Sequence, residues 1–247
     1  MNNDAGKYKK IFLILTLTLL LTSSLFNSIV IIKASNNNNN DFIHDINQSN
    51  LNNKTILITG FKPFHIYPIN PSEIIVEELN GSSINNYTII GKVLPIDFEI
   101  APYIVRQAIE EYQPSMIINL GLAPNETTIR LETLAINIQY DPYVDNPFQT
   151  LKKVKDNGPI LLKSNLDIRR SYSALKEENI PVKITYSAGW YLCNTVFYDT
   201  MYYLKNRDMD TPAGFIHLPN FSDDFSKGLP KDLIIDAIEL IIIESFE

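Results

Sequence analysis

From Thr55 onward, short and almost wholly apolar runs of strand length alternate with amphipathic stretches of helix length, and this alternation limits the possible folds most. Residues 56–59 (Ile-Leu-Ile-Thr) make a buried-type strand stopped by Gly60. After a loop over 61–71, Ser72 can cap a helix reaching about Asn80, with Ile74, Ile75, Val76 and Leu79 as its apolar face. Residues 88–94 read as a second strand. Residues 98–112 read as a helix, since Ile100, Tyr103, Ile104, Ala108 and Tyr112 recur at helical spacing. A third strand, 116–120, ends at Gly121; residues 128–138 read as extended, and 140–165, rich in Pro, Asp and Asn, as irregular. A helix at 167–178, a strand at 182–186, a helix at 194–206 and a strand at 213–218 follow. Pro230 then opens a C-terminal helix, proline suiting the first helical turn. This order predicts an α/β fold with a mainly parallel sheet covered on both faces and a ligand crevice at the carboxyl ends of the strands.

The first 54 residues have a different character. Lys7, Lys9 and Lys10 precede an uncharged run over 11–32, and Thr22, Ser23 and Ser24 follow its most apolar part, the pattern of a secretory signal. The run is also long enough to cross a bilayer as a signal anchor, but the polar Asn27 and Ser28 favour cleavage. Residues 1–33 are therefore expected to be a signal peptide or signal anchor, 34–54 a disordered Asn-rich linker, and 55–247 one globular domain. Membrane contact is expected only if the leader stays uncleaved, and in either case the domain would be secreted or lumenal. Sequons at Asn47, Asn53, Asn80, Asn86, Asn125 and Asn220 are compatible with that route.

Of the 247 residues 45% are hydrophobic and 20% charged, enough for one well-buried core. The net charge of −7, with no basic patch interleaved with aromatics, argues against a nucleic-acid partner. The single cysteine, Cys193, excludes an internal disulfide and a multi-cysteine metal site. It lies between the strand at 182–186 and the helix that follows, where a helix N-terminus would lower the thiol pKa and raise its reactivity. A lone cysteine is otherwise a small apolar side chain. Of the three histidines, His44, His65 and His217, the last ends a strand. Glu132 is a charge inside the apolar stretch 129–137, costly unless paired. Cysteine, histidine and a carboxylate form a nucleophilic set in which imidazole takes the thiol proton and the carboxylate fixes the ring's tautomer. Equally, His217 fits a satisfied core or surface histidine and Glu132 a surface-facing strand carboxylate, and spacing alone does not choose.

Five motifs then occur in order: Gly60-Phe61-Lys62-Pro63-Phe64; Asn70-Pro71-Ser72; Leu131-Glu132 with Ala135-Ile136-Asn137; Ser187-Ala188-Gly189 with Tyr191-Leu192-Cys193-Asn194; and Gly214-Phe215-Ile216-His217-Leu218-Pro219. Together they resemble the pyroglutamyl-peptidase I family, cysteine peptidases that remove an N-terminal pyroglutamate, over essentially the whole globular part. The resemblance implies a three-layer α/β/α sandwich around a mainly parallel central sheet, no metal or organic cofactor, and peptides with an N-terminal pyroglutamate as substrates. It implies Cys193 as nucleophile, His217 as base and acid, and Glu132 as the third catalytic residue. Phe61 and Phe64 should hold the flat lactam ring, Asn70 is a candidate for its directed hydrogen bonds, and Leu192 should border the same pocket. Family members are often oligomeric, so a homo-oligomer is compatible with it.

The chain departs from that family in two places. Pro124-Asn125-Glu126 stands where bacterial members usually carry Gly-Gly-Arg, replacing a cation by an anion, and Leu122 stands where they often carry glutamine. The leader is unusual for a family that is mostly cytosolic. Two alternatives follow: a secreted glycoprotein of the same fold that binds pyroglutamyl peptides without cleaving them, and a nucleoside phosphorylase of similar architecture. The second lacks a glycine-rich phosphate loop and a basic cluster.

Overall fold

The computed structural model describes residues 54–142 and 151–246; the expectations for residues 1–53, including His44 and the sequons at Asn47 and Asn53, lie outside these. In chain order the elements are β1 (Thr55–Phe61), α1 (Pro71–Leu79), β2 (Ser83–Ile84), β3 (Tyr87–Leu94), α2 (Ile100–Tyr112), β4 (Met116–Leu122) and β5 (Ile129–Glu132). Then come β6 (Leu134–Ile136), β7 (Leu161–Lys163), α3 (Ile168–Glu177), β8 (Val182–Thr185), α4 (Leu192–Asn206), β9 (Ala213–Leu218) and α5 (Lys231–Glu244). Seven strands form one sheet in the order β2-β3-β1-β4-β9-β5-β8, and β6 and β7 form a separate antiparallel pair.

The sheet is mainly parallel, as expected: β3, β1, β4 and β9 run one way. Strand β2 pairs antiparallel with β3, β5 pairs antiparallel with β9, and β8 follows β5. Not every site residue can therefore lie along one row of strand carboxyl ends. Glu132 ends a reversed strand and lies level with Phe215, two residues short of His217.

Both faces are covered, and the period-2 alternation of each central strand supplies both. Ile56 and Ile58, Met116 and Ile118, and Ile216 and Leu218 face a core closed by α1, α3 and α5. Leu57, Ile117 and Phe215 face the other, closed by α2, α4 and the β6–β7 pair. Because Ile129 and Leu131 belong to the first core, the intervening Arg130 and Glu132 point toward the second. Those two charged side chains thus share the face of Phe215 and His217.

Several boundaries differ from the sequence reading. The cap of α1 is Asn70 rather than Ser72: its side chain accepts from the Ser72 N–H, with Pro71 in the first turn. Asp97 accepts from the N–H groups of Glu99 and Ile100, so α2 starts at Ile100 rather than Phe98. Thr133 splits the expected extended stretch, donating its N–H to the Thr185 carbonyl at 2.8 Å before β6 begins. Part of the expected irregular region is strand β7, pinned from the other side by Asn137, whose amide bonds Lys155 and Gly158.

Candidate active site

The nucleophile candidate sits inside α4, not ahead of it: the helix begins at Leu192, so Cys193 occupies its first turn. The buried Asn194 explains that position. Its Oδ1 accepts from the Ile136 N–H at 2.9 Å, and its Nδ2 donates to the carbonyls of Ile136 and Ile138 at 2.8 and 2.7 Å. This clamp fastens the start of α4 to the strand that follows Glu132. The side chain of the cap residue Tyr191 makes no capping hydrogen bond to the first backbone N–H groups of α4.

The thiol rests against Gly121. An ideal Cβ on that glycine would lie 2.9 Å from Cys193 Sγ and 2.8 Å from the Phe215 ring, closer than any side chain tolerates. Gly121 is in turn the register partner of His217 across β4 and β9. The sheet thereby puts the glycine that supports the sulfur and the histidine on adjoining strands at the same level. No hydrogen bond joins them among the described residues, a looseness common in ligand-free sites.

His217 Nδ1 lies 2.8 Å from Glu132 Oε1. A carboxylate only accepts, so Nδ1 carries the proton and Nε2 is left as the basic nitrogen. His217 is 6% and Glu132 0% exposed, and the ring also packs on Phe215 at 4.8 Å between centroids. Of the two readings open for Glu132, the surface-facing one does not hold: the carboxylate is interior and paired.

A residue that the sequence reading passed over completes this charge pattern. Arg130 is the direct partner of His217 in the antiparallel register. Its Nη2 lies 3.0 Å from Glu132 Oε1 and donates to the Ser187 carbonyl at 3.1 Å, while its Nη1 lies 3.3 Å from Glu126. Lys183 also pairs with Glu126. The anion at position 126 is therefore matched by two cations from β5 and β8. Glu132 Oε2 is buried with no hydrogen-bond partner among the described residues.

The thiol does not behave as a helix N-terminus alone would make it. Cys193 retains some surface, but its sulfur lies inside the domain, and burial pushes the thiol up to about 12. The Glu132 charge adds to the rise, while the Cys193 backbone N–H and Arg130 pull it down without reversing it. Desolvation of the thiolate outweighs the helix end, which corrects the expected lowering.

The remaining expected residues divide. Phe61 is buried and tilted against Phe215 at 6.5 Å, and Leu192 is buried in the same core. Phe64 is half-buried and belongs to an aromatic group not foreseen: Tyr67 lies 5.3 Å and Tyr191 6.1 Å from its ring, and Phe98 packs edge-on against Tyr191 at 5.4 Å. Asn70, expected to reach a ligand, instead turns inward at 1% exposure. It donates to the Lys62 carbonyl and accepts from the Ser72 N–H and hydroxyl, while Ser72 Oγ accepts from the Phe61 N–H. These bonds hold the loop bearing Phe61 and Phe64 onto α1. Gly60 lets that helix come close, since an ideal Cβ there would lie 2.2 Å from the Ser72 carbonyl. Among the described residues no group of three His, Cys, Asp or Glu side chains could hold a metal ion.

Comparison with known proteins adds to this geometry. Residues 54–241 match the profile of the family described as pyroglutamyl peptidase. A pyrrolidone-carboxylate peptidase of Oceanobacillus iheyensis is 41% identical over 170 residues, covering 67% of this chain and 84% of its own length. One from Thermococcus litoralis is 37% identical over 206 residues, covering 78% and 94%. The solved pyrrolidone carboxyl peptidase from Thermococcus litoralis superposes with a TM-score of 0.73 at 33% identity, over 78% of this chain and 93% of that one. The crystal structure of Bacillus amyloliquefaciens pyroglutamyl peptidase I gives 0.72 at 29%, over 78% and 96%.

Proposed function

The chain belongs to the pyroglutamyl peptidase family, and on that premise we propose that it is a cysteine omega-peptidase that hydrolyses the bond after an N-terminal pyroglutamate. One observation carries the assignment of roles: Glu132 Oε1 holds His217 Nδ1 at 2.8 Å, on the strand whose register partner Gly121 supports the Cys193 sulfur.

In the proposed reaction His217 Nε2 takes the thiol proton as the sulfur attacks the pyroglutamyl carbonyl. Burial raises the thiol pKa, so removal of its proton by His217 is part of what the reaction must accomplish. Glu132 balances the imidazolium that results, and the backbone N–H groups at the start of α4 face the developing oxyanion. The imidazolium then gives its proton to the departing nitrogen, the C–N bond breaks, and a thioester remains on Cys193. Water, deprotonated by the same imidazole, cleaves the thioester and returns the thiol.

The lactam is neutral and flat, which suits the aromatic faces of Phe61 and Phe64 and the apolar edge of Leu192. Asn70 acts in this account through the loop it holds. The same proposal sets the enzyme in the secretory pathway: Lys7, Lys9 and Lys10 ahead of the uncharged residues 11–32 support export, and the exposed sequon residue Asn125 is compatible with a glycoprotein.

The test is hydrolysis of a pyroglutamyl fluorogenic amide alongside the matching prolyl amide. Wild type should cleave only the first, and Cys193→Ser, His217→Ala and Glu132→Gln should each lose at least about 100-fold in kcat/KM. Full activity in Cys193→Ser would refute the nucleophile. Tight binding of pyroglutamyl peptides with no turnover by wild type would favour the non-enzymatic alternative.

A further inference from the structure

A cavity of about 390 Å³ opens beside the candidate triad, walled by residues 123–126 and 187–189 and by Arg130 and His217. Its walls contain none of Phe61, Phe64 and Leu192. His217 thus borders an environment unlike that of those three side chains. The aromatic and aliphatic side has no formal charge among those three residues, whereas the cavity side presents Glu126 and Arg130.

We propose that this cavity is the subsite for the residue on the departing side of the scissile bond, the one released with a new free amine. The inference rests on the peptidase reading above and names a binding site that the reading leaves open. The imidazole that protonates the departing nitrogen must lie on that nitrogen's side of the carbonyl, and His217 forms part of the cavity wall. The lactam, being neutral and planar, belongs against the aromatic rings, so the acyl carbon at Cys193 is the point where the substrate passes from one environment to the other. The volume lies within the usual range for small-ligand sites, enough for one bulky side chain yet bounded, so the size of that side chain matters.

The charges in the wall also bear on selectivity. Glu126 and Arg130 pair with each other at 3.3 Å, and Lys183 adds a second cation to Glu126. Arg130 also pairs with Glu132 at 3.0 Å, so two cations are matched by two anions around this wall. The subsite therefore discriminates by size more than by charge, and substrates bearing aspartate or lysine after the pyroglutamate should differ by no more than about threefold in kcat/KM.

The experiment compares pyroglutamyl-tryptophanamide with pyroglutamyl-glycinamide, whose departing residue has no side chain. The readout is the ratio of their kcat/KM values. Asn125 is exposed at the cavity rim, so Asn125→Trp fills the mouth without disturbing the core. In that variant the tryptophan-to-glycine ratio should fall about tenfold or more from the wild-type value. Phe64→Ala weakens a contact common to both substrates and should leave the ratio as it is. Asn125→Gln, which removes the same sequon without filling the cavity, should keep the wild-type ratio and so separates the loss of a glycan from a steric effect. An unchanged ratio in Asn125→Trp, or a ratio that shifts in Phe64→Ala instead, overturns the subsite. Wild type that cleaves neither substrate overturns the peptidase reading itself, a distinct outcome because no ratio then exists to compare.

Discussion

Replacing Arg130 by glutamine tests the electrostatic part of this account, because among the described residues the guanidinium is one of two groups that address the Glu132 carboxylate. Glu132 is 0% exposed, its Oε1 accepts from His217 and Arg130, and its Oε2 has no partner among the described residues. Removing one member of a fully buried pair costs about 3–5 kcal/mol, because the other charge is left uncompensated. The Arg130 side chain is 22% exposed and the His217 contact remains, so partial screening reduces the expected cost to about 1.5–3 kcal/mol. In a domain of this size that corresponds to a fall of roughly 4–10 °C in Tm. The same change frees Ser187 and Glu132 to move, and kcat/KM on a pyroglutamyl amide should fall about 10- to 100-fold. Thermal melts at neutral pH of wild type, Arg130→Gln, Glu132→Gln and the double variant separate the causes. If the loss comes from the orphaned carboxylate, adding Glu132→Gln to Arg130→Gln should recover at least half of the lost Tm while activity stays low. A Tm for Arg130→Gln within about 1 °C of wild type, or strictly additive losses in the double variant, would refute the reasoning.

Three further outcomes follow from the same geometry. Gly121→Ala puts a methyl group against Cys193 Sγ and the Phe215 ring; overpacking should cost about 1–3 kcal/mol in a denaturant melt, and the displaced sulfur should lower kcat by about 100-fold. Phe64→Ala removes a half-buried ring from the group with Tyr67 and Tyr191, and should raise KM for pyroglutamyl amides about 5- to 50-fold with a smaller change in kcat. Burial with Glu132 nearby holds the thiol neutral against the pull of Arg130, so iodoacetamide should alkylate the ligand-free protein about tenfold faster per pH unit from pH 7 to 10. A rate already level near pH 7 would instead reveal a preformed thiolate–imidazolium pair with His217.

The order of strands and helices was legible because apolar runs and helical periodicity are local properties, and β9 falls at 213–218 as the sequence predicts. Strand direction is not local: nothing in residues 129–132 or 182–185 tells that they run against β9, and that reversal brings Glu132 beside His217. Arg130 escaped notice for the same reason, since an exposed-looking arginine on a strand becomes a partner of the site only when its neighbour strand is known. An alternation count would have helped: with Ile129 and Leu131 on one face, Arg130 and Glu132 share the other. The helix expected from residue 194 begins two residues earlier, at Leu192, and the buried Asn194 inside its first turn bonds Ile136 and Ile138, contacts between segments far apart in sequence. Asn70 shows the converse: its residue type suggests a ligand contact, and only the fold shows that it caps α1. The thiol was misjudged because the helix end is visible in sequence and the burial of the sulfur is not.

The central claim, that Cys193 is the nucleophile of a pyroglutamyl peptidase, is tested most directly by quenching the wild-type enzyme with acid during turnover of a pyroglutamyl amide and mapping the modified peptide by mass spectrometry. A pyroglutamyl thioester on the peptide that contains Cys193, absent in Cys193→Ala together with all turnover, is the predicted result. Hydrolysis of the amide by Cys193→Ala at the wild-type rate would contradict it.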